Sequence, residues 1–170
     1  TMNVLPDPNG GFNHEHVLLV NSRNENDVTL RSGTTLDDLF LGAVFTNNAQ
    51  FVIEAQQNQD VHVRQAVAGG TATFLNTTTG VIRKIGAGTG TFDDAHTVDT
   101  HMVPLTNDHE ILVEAGFLGY ESGTNRGTLT VSPGATLGLG AMTLAEGSVV
   151  QGAGRIEFPT YYQEIGRTTL

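Results

Sequence analysis

Apolar residues in this chain come in short runs, broken at close intervals by Gly, Asn, Asp and Ser. Runs such as Phe51-Val52-Ile53, Val81-Ile82, Ile111-Leu112-Val113 and Leu129-Thr130-Val131 are too short for core helices and rich in β-branched residues. They predict strands joined by tight corners. Within each run, successive side chains of a strand face opposite ways. That alternation puts Leu30, Phe51, Ile53, Val81 or Ile82, Ile111, Val113, Leu129 and Val131 inside, and Thr29, Glu54, Glu114 and Thr130 outside. A charge forced in at Val113 is then expected to unfold the domain, and loss of Glu114 to matter little.

The runs also repeat. Val28-Thr29-Leu30-Arg31-Ser32-Gly33-Thr34-Thr35-Leu36 parallels Leu129-Thr130-Val131-Ser132-Pro133-Gly134-Ala135-Thr136-Leu137, 101 residues later. The runs that begin at Val28, Phe51, Gly80, Ile111 and Leu129 each carry an Asn four residues earlier, namely Asn24, Asn47, Asn76, Asn107 and Asn125, at successive spacings of 23, 29, 31 and 18 residues. Two all-β architectures suit short strands of this kind: an antiparallel β-sandwich, or a right-handed parallel β-helix whose coils stack like strand on like strand. The recurrent offset favours the β-helix, because only stacked coils give a reason for an Asn at the same corner of each. There the side-chain amides can bond from coil to coil as a ladder, and Asn also tolerates a left-handed corner backbone. Unequal spacings predict irregular loops, at Gln56 to Gly70 and Thr91 to His101. The chain divides into a solenoid over residues 24–158, with non-repeat ends at 1–23 and 159–170 serving as caps or partner contacts.

Composition sharpens this picture. The chain holds 21 Gly, 23 Thr and 12 Asn in 170 residues, with one Lys and no Cys or Trp. Gly, Thr and Asn are weak helix formers, Thr favours strands, and Gly and Asn favour turns. A net charge of −10 argues against nucleic acid or an anionic membrane surface as partner. The sequence contains no run of about 18 apolar residues that could form a transmembrane helix, and the first residues lack the basic and apolar regions of a leader. The absence of Cys removes disulfides, thiolate metal sites and thiol catalysis together.

The tail carries a family resemblance. Leu129-Thr130-Val131 with Gly134-Ala135-Thr136-Leu137, Met142-Thr143-Leu144 with Gly147-Ser148-Val149-Val150, and Gly152-Ala153-Gly154-Arg155-Ile156-Glu157-Phe158 read as consecutive short units. They resemble the Gly/Thr/Asn-rich β-solenoid repeats of large secreted bacterial adhesins and autotransporter passengers. The phrase Phe74 to Phe92 has the same look. The resemblance covers residues 24 to 158, and similar solenoids occur in phage tailspikes and polysaccharide lyases. It implies a non-catalytic structural and binding module at the cell surface or outside the cell, acting by extension, by self-association into oligomers or end-to-end polymers, and by weak contacts to glycans or a host surface. The alternative is a trimeric virion module, and the third reading is a polysaccharide-processing enzyme.

Candidate chemistry is sparse. Five of the six His lie among acids, in three neighbourhoods: His14-Glu15-His16, Asp93-Asp94-Ala95-His96 with Asp99-Thr100-His101, and Asp108-His109-Glu110. Imidazole and carboxylate can hold zinc, and Asp93, Asp94 and Asp99 supply the hard oxygens that Ca2+ prefers, with His96 and His101 beside them. The spacings match no metal signature, so no cofactor is expected and these residues read first as loop chemistry. Asp37 with Asp38, Asp60 with His62, and Asp93 with Asp94 are the pairs that carboxylate catalysis would use, and each is equally a turn-capping Asp. No catalytic residue is assigned. Gly86-Ala87-Gly88-Thr89-Gly90 lacks the Lys and the strand-to-helix context of a phosphate loop and reads as a corner. Tyr161 and Tyr162 are candidate contact aromatics, or a lid over the last coil.

Overall fold

The structure is a computed structural model that describes residues 3–5, 16–19, 22–31, 38–65, 71–92 and 103–158. All regular structure there is strand. In chain order these are β1 (Asn3–Leu5), β2 (His16–Leu19), β3 (Ser22–Asn24), β4 (Val28–Arg31), β5 (Asp38–Leu41), β6 (Val44–Asn47), β7 (Gln50–Glu54), β8 (Asp60–Gln65) and β9 (Thr73–Asn76). There follow β10 (Val81–Ile85), β11 (Thr89–Thr91), β12 (Leu105–Asn107), β13 (Glu110–Val113), β14 (Phe117–Asn125), β15 (Thr128–Val131), β16 (Thr136–Leu144), β17 (Val149–Gly152) and β18 (Arg155–Glu157).

The strands form two sheets. One has six strands in the order β17-β15-β13-β10-β7-β4, and the other has twelve. Within the larger sheet two rows meet: β2-β5-β8-β11 runs into the first half of β14, and β3-β6-β9-β12 into its second half. The chain therefore passes through three strand positions in the same order again and again. From β14 onward two of those positions are fused into single nine-residue strands, β14 and β16. Every ladder is parallel except β1 on β2, which is antiparallel. An antiparallel sandwich cannot have this pairing, so that alternative is set aside. Parallel pairing already includes β2 and the start of β3, within the first 23 residues.

The register explains the sequence repeat. In the smaller sheet Val28, Phe51, Ile82, Ile111, Leu129 and Val150 lie in one row across the strands, and Leu30, Ile53, Lys84, Val113 and Val131 in a second. From Phe51 to Leu129 and from Leu30 to Val131 these residues are buried, which settles the choice at β10 on Ile82. Burial of each such aliphatic side chain contributes roughly 1.5 to 3 kcal/mol. The core is shared by all three strand positions. Phe45, Phe74, Phe92 and Tyr120 follow one another through it with ring centroids 4.8, 5.0 and 5.0 Å apart, close to the ~4.8 Å between paired strands.

Two sequence expectations are corrected here. The stretch from Gln56 to Gly70 is not one loop: residues 56–59 make a turn and Asp60–Gln65 pair as β8 between β5 and β11. Beyond β2 the longest connections run from β8 to β9 and from β11 to β12, and the expected loop from Thr91 to His101 falls in the second, most of it outside the described residues. The ladder asparagines also do not occupy left-handed corners, since among the described residues Asn58 is the non-glycine with positive φ, at 61°. Their value is in the side chain. Glycine supplies the left-handed backbone at the corners: Gly86 and Gly116 follow β10 and β13 with φ of 76° and 68°.

Candidate functional site

The polar groups that the fold concentrates lie on three features: a column of amides, one buried amine and an open strand edge. The column is made by Asn24, Asn47, Asn76, Asn107 and Asn125, the last residues of β3, β6, β9, β12 and β14, which the parallel register brings side by side. The Nδ2 of Asn24 donates to Oδ1 of Asn47 at 2.6 Å, Asn47 to Asn76 at 2.7 Å, Asn76 to Asn107 at 2.7 Å and Asn107 to Asn125 at 2.6 Å. All five are buried. Spare donors go to main-chain carbonyls, from Asn76 to Gly80 and from Asn125 to Gly127, both at 2.9 Å. Asn125 pairs next with Leu144, so the column stops one strand short of the end. The amides satisfy one another and the neighbouring carbonyls, and so hold the corner together.

The buried amine is Lys84. Alternation in β10 sends it to the same side as Ile82, into the row between Ile53 and Val113, and it is fully buried. Its Nζ donates to the carbonyls of Ile85 and Gly86, both at 2.8 Å, and of Ala115 at 3.3 Å. Three N–H groups thus meet three carbonyls at a corner shared by two passes of the chain. Burial lowers its pKa to about 8, from 10.5. The sequence left Val81 and Ile82 open as the inward residue, and only the second choice puts the chain's one lysine, two residues further on, inside.

Glu121 on β14 is buried as well, while several other charged groups pair across strands on the outer side. Arg83 holds Glu114 with two bonds of 2.6 and 2.9 Å, which raise the already high pKa of the guanidinium, and Arg31 meets Glu54 at 2.7 Å. Glu54 and Glu114 are therefore half-covered partners rather than free surface acids. Asp108 binds Arg126 at 2.9 Å, and His109 beside it is exposed. Asp60 is exposed on β8, and His62 Nδ1 lies 2.8 Å from Thr91 Oγ1. The buried Tyr120 hydroxyl has no hydrogen-bond partner among the described residues, and burial pushes its pKa well above 10.

Asp93, Asp94, His96, Asp99 and His101 lie outside the described residues, as do Tyr161, Tyr162, His14, Glu15 and Asp37. Among the described residues no three His, Asp or Glu come together as a metal-binding group would. Gly86 to Gly88 form the bend after β10 and lead straight into β11, so this run turns a corner between strands.

The third feature is the last edge. Among the described residues four large apolar side chains are exposed, and three of them, Val149, Val150 and Phe158, belong to β17 or directly follow β18. In fold class the described chain is an all-β protein with parallel strands in two sheets. Comparison with protein-family models, with curated proteins and with solved structures found no match.

Proposed function

We propose that the chain is a right-handed parallel β-solenoid serving as a non-catalytic structural and binding module, exported to the cell surface or beyond. It works by extension, by association through its ends, and by weak contacts of its loops with glycans or a host surface. The observation that carries this reading is the register. Like positions pair strand after strand along both sheets, so the core is a continuous column and the shape it favours is a rod. The buried polar groups are spent on holding corners, as the asparagine column and the Lys84 amine illustrate. An acidic surface without thiols suits a module that meets solvent and sugar rather than nucleic acid.

The test joins shape to chemistry. Small-angle scattering of the full chain is expected to give an elongated particle with one narrow cross-section, and a polysaccharide panel to give binding without released sugar. A compact particle, or product release from any member of the panel, overturns the reading.

A further inference from the structure

Both ends of the strand stack leave edges without a described partner. At the N-terminal end these are β3 and β4, while β2 is paired by β1, which runs against the direction of every other strand. At the C-terminal end nothing described pairs with the outer edges of β17, of β18 or of the second half of β16. Each strand position leaves one apolar side chain there: Leu144 from β16, Val150 from β17 and Ile156 from β18. Val150 continues the row of Leu129, and Ile156 that of Leu137, so these are core positions on which nothing stacks among the described residues. Val149, Val150 and Phe158 are 43%, 38% and 46% exposed. Because the asparagine column ends at Asn125 and gives way to Leu144, no amide awaits a partner at this face.

From this edge we infer that a second copy of the chain binds tail to tail, with β18 pairing antiparallel to its own counterpart about Ile156. The inference rests on the solenoid reading above and names the partner for one of its ends. Charge selects that partner. Arg155 and Glu157 flank Ile156 on the outer side, 3.0 Å apart, with the arginine three-quarters exposed. An antiparallel copy centred on Ile156 sets Arg155 of each chain against Glu157 of the other, so the segment is its own complement. Residues 159–170 offer no such match, since their acid and base, Glu164 and Arg167, are three apart and alternation requires two. A twofold axis through the β18 position exchanges the other two positions. It thereby turns β17 of each copy toward Ala141 to Leu144 of the other. This contact is isologous and closed, so it ends in a dimer rather than a fibre. It also removes an exposed strand edge, which is otherwise a site of uncontrolled pairing.

Sedimentation velocity of the full chain across a wide concentration range tests the pairing, with circular dichroism confirming that each variant is folded. The wild-type chain is expected to dimerise. Glu157→Arg sets like charges opposite one another twice and is expected to weaken the dimer at least about tenfold, a loss of roughly 1.4 kcal/mol. Arg155→Glu alone is expected to do the same. The double variant Arg155→Glu/Glu157→Arg rebuilds the match in reverse and is expected to recover the dimer. A chain that stays monomeric overturns the inference, as does a dimer indifferent to the single changes or not restored by the double one. Dimers that appear only after removal of residues 159–170 overturn it too, by showing that the edge is covered within one chain. A monomer leaves the rod-shaped, non-catalytic reading untouched, whereas a compact particle or released sugar defeats that reading whatever the oligomeric state.

Discussion

Asn47 donates its side-chain amide to Asn76 at 2.7 Å inside the protein, although 29 residues separate them. Asn76 in turn serves Asn107 and the carbonyl of Gly80, so its side chain is bonded on every side. Asn76→Ala removes one group and leaves several polar atoms buried without partners. Each such orphan costs about 1–3 kcal/mol. A destabilisation on the order of 3 kcal/mol or more is expected. Asn125→Ala at the end of the column orphans fewer groups, because its other neighbour is Leu144. Urea unfolding of the two variants is expected to rank Asn76→Ala well below Asn125→Ala, and equal midpoints would mean that the column is not a cooperative device.

Lys84 makes stability depend on alkaline pH. In the unfolded chain it holds its proton up to about 10.5, whereas in the fold burial brings that point down to about 8. Between the two values the unfolded state binds more protons, so stability rises with pH across this window, by up to about 3 kcal/mol. Among the described residues no titratable group is paired with the amine, whose partners are three carbonyls beside Ile53 and Val113. Lys84→Met keeps the apolar stem and deletes the titration. The difference in stability between wild type and Lys84→Met is therefore expected to change between pH 8 and 10.5 in favour of the wild type. Taking the difference cancels Tyr120, whose raised pKa acts with the opposite sign in both proteins. A difference that is flat with pH would show that the amine is not desolvated.

The strand positions and their inward faces were legible because alternation is a local property: Phe51, Ile53, Ile111 and Val113 declare their side within three residues. The offset of an Asn four residues before each run was legible as well, since parallel stacking repeats a residue type wherever coils coincide. Lys84 was not legible by hydrophobicity, because a lysine is read as outward unless its neighbours are followed strictly two by two. The start and end of β8 were hidden for a different reason. Asp60-Val61-His62-Val63-Arg64 alternates cleanly, but its polar members resemble a loop until β5 and β11 are known to pair with it. The open edge depends on which strands find no neighbour, a relation no single segment contains.

A carboxylate introduced beside Lys84 has a partner that one introduced elsewhere lacks. Val113 pairs with Lys84 in register, whereas Ile111 sits between Ile82 and Leu129. Both are fully buried. Ile111→Asp buries an unpaired charge and is expected to unfold the chain at neutral pH. Val113→Asp, judged from the sequence alone, should do the same, yet the ammonium next to it offers compensation. Its cost is expected to be smaller than that of Ile111→Asp by about 2 kcal/mol, and the advantage to vanish in Lys84→Met/Val113→Asp. Glu114→Ala, which loses only an outer ion pair with Arg83, is expected to cost less than about 1 kcal/mol. Thermal melts of the four variants supply the comparison, and equal losses for the two aspartates would mean that Lys84 does not reach position 113.

Two glycines separate backbone constraint from side-chain crowding. At Gly116 the φ of 68° is left-handed, and an added Cβ would lie 2.3 Å from the carbonyl oxygen of Gly88 and 2.6 Å from that of Gly86. These oxygens belong to the neighbouring corner and cannot retreat without breaking it, so Gly116→Ala combines backbone strain with a fixed clash. A loss on the order of 3 kcal/mol or more is expected. At Gly138 φ is ordinary, and the Cβ would meet the Phe117 ring, with Cζ at 2.6 Å and Cε2 at 3.0 Å. That ring lies on the outer side of β14, half-exposed, and can turn away. Gly138→Ala is therefore expected to cost about 1 kcal/mol, in the range found for modest overpacking. Phe117→Ala should remove the clash, so Gly138→Ala costs almost nothing in that background while Gly116→Ala remains as damaging as before. A double-mutant cycle by denaturant unfolding measures both couplings, and a Gly138 penalty that survives Phe117→Ala would locate the strain in the strand itself.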